Sequence, residues 1–130
     1  MKRFVLSALM LWMCASAASA QVVDCNITQR SWAGIVTEWY SFDLDMKKTR
    51  ITVSDAVIRF VDGKPLKAEV ESLDENEARL RWSVKKLPTD ETRGGDFVAV
   101  LNIAEKRLNV EAKYSDGGDA GTGKGICFDQ

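Results

Sequence analysis

The sequence predicts an all-β fold, a small antiparallel meander barrel, on three observations. Apolar and polar residues alternate with period two along most of the chain after Tyr40. Short turns rich in Gly, Pro and charged residues separate the alternating runs. Two cysteines, Cys25 and Cys127, stand near opposite ends of the chain. A β-sandwich is the alternative arrangement of the same strands.

The chain opens with a three-part export pattern. Lys2 and Arg3 supply a basic start, Phe4 to Met13 an apolar stretch, and Ala18-Ser19-Ala20 a small-x-small cleavage site. Residues 1–20 are therefore expected to be a cleavable signal peptide, and 21–130 a single exported domain. The apolar stretch falls short of the ~20 residues of a membrane-spanning helix. Cys14 follows Trp12 and Met13, which are bulkier than the residues that precede a lipid-attachment cysteine. The basic start and compact apolar core suggest a bacterial signal, with a periplasmic or secreted product. On that reading the Asn26-Ile27-Thr28 glycosylation sequon carries no weight.

Removing 20 of 130 residues leaves 110, with 16 Lys+Arg against 19 Asp+Glu and a net charge of −3. That size suits one domain. The mild acidity argues against nucleic acid as a partner, and no transmembrane segment is expected in the mature part. Cys14 leaves with the signal, so Cys25 and Cys127 are expected to pair in an oxidising compartment. A loop of this length would stabilise the fold by about 4–5 kcal/mol in the chain-entropy treatment. The bond would also bring the first and last strands together, which suits a closed sheet.

Val22, Val23, Cys25 and Ile27 suggest a first strand. Residues 28–39 resist assignment: Trp32, Ile35, Val36 and Trp39 fit one helical turn or a twisted strand. Tyr40, Phe42, Leu44 and Met46 alternate with polar residues, turn at Lys47-Lys48-Thr49, and continue as Ile51 and Val53, a hairpin. A bend or bulge is expected at Ser54-Asp55-Ala56. The apolar run Val57–Val61, the turn Asp62-Gly63-Lys64-Pro65 and the alternation of Leu66, Ala68 and Val70 read as a second hairpin. Ala78, Leu80, Trp82 and Val84 alternate cleanly. A helical stripe through Leu73, Leu80, Val84 and Leu87 competes, but Glu77 falls on it, so strand is preferred. Lys86–Gly95 reads as a loop. Phe97, Ala99, Leu101 and Ile103, then Leu108, Val110, Ala112 and Tyr114, form the next two strands. Five glycines in Ser115–Gly125 argue against a regular element there, and Ile126-Cys127-Phe128 is a short closing strand. The total is about eight strands.

No histidine occurs anywhere. That removes imidazole acid–base catalysis, a Ser-His-Asp triad and histidine metal ligands. With the cysteines paired, no thiolate remains either. Gly118-Asp119-Ala120-Gly121-Thr122-Gly123-Lys124 has the spacing of a phosphate loop. It lacks the following Ser or Thr and a helix to face the phosphate.

Asp43 and Asp45 share a strand face at about 7 Å. A carboxylate-based hydrolase acting on carbohydrate would use such a pair, although the pattern is also that of a solvated face. Asp116 and Asp119 offer too few oxygens for calcium. Arg79, Arg81 and Lys85, with Arg50 and Arg59, read as outer-face charge. Trp32, Trp39, Trp82, Phe42, Phe60, Phe97 and Tyr114 are expected mostly to fill the interior; a tryptophan-lined pocket is the alternative.

The architecture resembles secreted barrel modules in general, lipocalin-like and protease- or lysozyme-inhibitor barrels among them, with no motif of those families matched residue by residue. The expectation is an exported, non-enzymatic module that binds an unknown protein or small ligand, without catalytic residues, cofactor or metal. The alternatives are the carbohydrate hydrolase and a structural part of an envelope assembly.

Overall fold

The computed structural model describes residues 20–31 and 34–129. The expected export signal, Cys14 included, lies outside these residues except for Ala20, which pairs with Asp45. Trp32 also lies outside them. Eight strands form a closed antiparallel meander barrel in chain order: β1 (Ala20–Arg30), β2 (Trp39–Asp45), β3 (Arg50–Ser54), β4 (Leu66–Leu73), β5 (Glu77–Val84), β6 (Gly95–Asn102), β7 (Arg107–Tyr114) and β8 (Asp119–Asp129). The expected β-barrel is thus the fold.

Period-two patterning sets which face is buried. Along β5, Ala78, Leu80, Trp82 and Val84 are buried, and Glu77, Arg79, Arg81 and Ser83 are exposed. The helical reading of this stretch would have placed Glu77 inward. The interior is packed with rings. Trp82 stacks on Phe97 at 5.4 Å between centroids and meets Tyr40 at 5.9 Å and Phe42 at 6.2 Å. These four large side chains are buried and fill part of the barrel interior, as interior positions of small barrels require.

β1 and β8 close the barrel, with Cys25 directly opposite Cys127. Both are buried, and a disulfide of 2.04 Å joins them across 102 residues. The expected covalent tie between the chain ends therefore lies inside the barrel, on its closing seam.

The two ends of the barrel differ. One carries the tight connections 46–49, 74–76 and 103–106; the other carries the longer segments 31–38, 55–65 and 85–94 together with the four-residue turn 115–118. Residues 55–65 correct the expected hairpin. Ala56–Asp62 is a helix, α1, and the bend expected at Ser54-Asp55-Ala56 is its start. Asp55 is the N-cap, accepting from the Ile58 N–H at 2.8 Å, and Gly63 ends the helix at φ 73°. Val57 and Ile58 turn inward, so a helix of about two turns stands where a strand was expected.

A second correction concerns Ser115–Gly125. β8 runs through its glycines from Asp119 onward. The absence of side chains here answers a crowding requirement: a Cβ on Gly125 would lie 2.3 Å from the Asn26 carbonyl oxygen, and one on Gly123 would lie 2.7 Å from Val36 Cγ1. Glycine permits the close backbone approach along the β1–β8 seam. The register shift in β1 between Ile27 and Gln29 falls on the same seam.

Not all apolar side chains follow the expected burial. Phe60 is 58 % exposed on α1, and Met46 lies in the turn after β2, exposed. Ile126 and Phe128 face outward on β8 at 42 % and 50 %. Among the described residues, no helix is long and apolar enough to cross a membrane.

Candidate binding face around Trp39

Trp39 begins β2 one position before Tyr40. Since Tyr40, Phe42 and Leu44 point inward, Trp39 falls on the outer face, half-buried. This overturns its expected place in the interior. Arg59 of α1 lies over its ring, 5.1 Å from the centroid. A guanidinium over an indole is attracted by the ring's quadrupole, by about 0.5–1 kcal/mol at an exposed site. Asn26 of β1 is the direct strand neighbour of Trp39.

The connection leading into Trp39 is anchored at several points. The Ile27 N–H donates to the Glu38 carbonyl at 2.8 Å, and the Ile35 N–H to the Ala120 carbonyl at 2.7 Å. Arg30 donates to the Val36 carbonyl at 3.2 Å. The Thr37 N–H donates to the Tyr40 hydroxyl at 3.1 Å. The Thr37 hydroxyl donates to Asp55 Oδ2 at 2.8 Å. Burial pushes the Asp55 carboxyl above its ordinary range, with the Ile58 and Thr37 hydrogen bonds opposing. Burial also pushes the Tyr40 phenol up to about 12.

Three recesses surround this corner. At the barrel end, a cleft of about 300 Å³ is largely apolar, with Ile35, Val36, Val57, Leu87 and Pro88 beside Trp39. On the outer face a second, of about 590 Å³, is polar: Asn26, Thr28, Arg30, Ser31 and Glu38 line it, with Trp39 as an aromatic wall. On the other flank a groove of about 530 Å³ holds Asp43, Arg59 and Lys64 with Ser41 and Thr52. Arg59 lines that groove and not the Asn26 cleft, so it covers the indole from the α1 side.

The residues singled out in the sequence are scattered. Asp43 is exposed in the third recess, whereas Asp45 accepts the Lys48 N–H of its own turn at 3.2 Å. The two carboxylates do not line one cleft. Asp116 pairs with Arg93 at 3.0 Å, and Asp119 begins β8. Among the described residues, no group of three His, Cys, Asp or Glu could hold a metal ion. Arg79 and Arg81 each meet Glu71 at 3.1 Å, which neutralises part of the basic strip. The phosphate-loop spacing lies in the last turn and in β8, where no helix follows.

Sequence reading missed Arg30, Glu38 and the amide of Asn26 as neighbours of Trp39. Strand parity was the available signal. Trp39 is out of phase with the inward set, and outward tryptophans on β-strands are exceptions to be accounted for. In comparisons with known proteins, no protein family, curated protein or solved structure matches this chain.

Proposed function

We propose that the protein is an exported, non-enzymatic binding module of the bacterial periplasm or exterior, and that it binds through the face around Trp39. The observation carrying this reading is the outward Trp39 held under Arg59 at 5.1 Å, with recesses on either side. Trp and Arg are among the side chains that most often anchor binding surfaces, Trp through large contact area at low entropic cost and Arg through its planar fork of donors. The packed interior favours recognition at the surface over carriage of a ligand inside the barrel. The export pattern and the disulfide agree with an oxidising compartment.

The test has two parts. Expressed in a bacterium with two membranes, the chain is expected in the periplasm as an oxidised species beginning at Gln21; a full-length cytoplasmic product overturns the export reading. A photo-crosslinking side chain placed at Ser31, beside Trp39, is expected to give adducts in the cells that make this protein. The same group at Glu75, on the tight-turn end, is expected to give none. Adducts from Glu75 alone overturn the assignment of the face.

A further inference from the structure

We infer that the polar cleft beside Trp39 is a binding site for a neutral saccharide; this rests on the reading of the protein as a binding module. A pyranose presents two unlike surfaces. The C–H bonds on one side form an apolar patch that packs on an indole face, while the hydroxyls around its edge both donate and accept hydrogen bonds. The cleft supplies both complements. Trp39 forms one wall, and Arg59, which does not line the cleft, lies over the indole and favours that ring orientation. The remaining lining offers an amide from Asn26, a carboxylate from Glu38, a guanidinium from Arg30 and hydroxyls from Thr28 and Ser31.

Much of this set is already held in place. Thr28 donates to the Lys124 carbonyl at 3.3 Å, Arg30 to the Val36 carbonyl at 3.2 Å, and the Ser31 hydroxyl accepts the Thr122 N–H at 3.0 Å. Pre-ordered polar groups reduce the entropic cost of binding. The charges of Arg30 and Glu38 cancel, which disfavours a strongly anionic or cationic ligand and suits an uncharged one. The volume, about 590 Å³, falls in the size range of small-molecule sites. The neighbouring recess at the barrel end shares Arg30, Glu38 and Trp39 with this cleft, but its lining is mainly apolar and lacks Asn26, Thr28 and Ser31.

The experiment is calorimetric titration of the oxidised protein with three neutral tetrasaccharides, the cello-, malto- and N-acetylchito- series, together with a reducing-end assay. At least one is expected to bind with a dissociation constant below about 1 mM. Trp39→Ala and Glu38→Gln are each expected to weaken that binding by about tenfold or more, one stacking or charged hydrogen-bond contact being worth that much. Trp39→Phe, which keeps an aromatic wall, is expected to recover part of it, and circular dichroism checks that each variant folds. No binding by any of the three up to about 10 mM overturns the saccharide assignment. So does binding that neither variant weakens. Binding accompanied by new reducing ends leaves this inference standing and overturns the non-enzymatic reading.

Discussion

The Thr37 hydroxyl donates to Asp55 Oδ2 at 2.8 Å, tying the β1–β2 connection to the N-cap of α1. The same carboxylate accepts the Ile58 N–H through its other oxygen. One side chain thus fixes both the helix and the strap that carries Glu38 and Trp39. Asp55→Ala is expected to lose about 1–2 kcal/mol of unfolding free energy, the usual cost of an N-cap. A denaturant titration measures it.

Asp55 also predicts a pH dependence. Its folded pKa is raised, from an ordinary value of 3.8, chiefly by burial. The folded protein therefore holds this proton more tightly than the unfolded chain. The stability from this group is fully present below the unfolded value and is lost as pH rises through the raised one. Asp55→Asn keeps a cap acceptor and cannot titrate. Its melting temperature relative to the parent is expected to be most favourable at neutral pH and to decline toward pH 4. A difference constant across that range would show that the carboxyl titrates normally.

Tyr40 gives the alkaline counterpart. Burial raises its phenol from 10.0 to about 12. Stability is intact below the lower value and falls as pH climbs through the upper one, by about 3 kcal/mol in total. Tyr40→Phe keeps the ring in the aromatic cluster but leaves the Thr37 N–H without its acceptor. It is expected to start less stable and to lose less between pH 10 and 12. Parallel slopes for the two proteins would contradict the burial of the hydroxyl.

The Cys25–Cys127 bond predicts a large effect on unfolding. It closes 102 residues of chain on the β1–β8 seam. The double variant Cys25→Ala, Cys127→Ala is expected to lose about 4–5 kcal/mol by restoring the entropy of the unfolded chain. Equal denaturant midpoints for the two proteins would mean that the bond contributes nothing to stability.

The barrel was legible because its signals are local and redundant. Alternation in 78–84 and 108–114 fixes face, the polar turns fix hairpins, and two cysteines fix closure. Residues 55–63 mislead because a seven-residue helix offers only about two turns of pattern. Val57, Ile58 and Val61 fit a short strand until Asp55 is recognised as a cap and Gly63 as a stop. The face around Trp39 was harder still. Its members come from β1, from the irregular 31–38 connection and from α1, and only the register of β1 on β2 brings Asn26 beside Trp39.

The glycines of β8 are the sharpest case, because composition argued against a strand that the barrel needs. Propensity counts the entropy lost by ordering glycine, whereas the seam is governed by space. At Gly125 the obstacle is backbone: the Asn26 carbonyl oxygen stands 2.3 Å from the point a Cβ would occupy. At Gly123 it is side chain, Val36 Cγ1 at 2.7 Å and Ile27 Cγ2 at 3.2 Å; these β-branched groups are stiff, but Val36 belongs to the irregular 31–38 connection, whose backbone lies outside the ladder. Backbone in a closed ladder cannot move without breaking strand pairing. Gly125→Ala is therefore expected to cost about 3 kcal/mol, the upper range of overpacking, and Gly123→Ala about 1 kcal/mol. Thermal denaturation of the two single variants measures the order. If Gly123→Ala proves the more damaging, or if both raise stability as strand propensity alone would suggest, the close approach of β1 to β8 is not what selects glycine here.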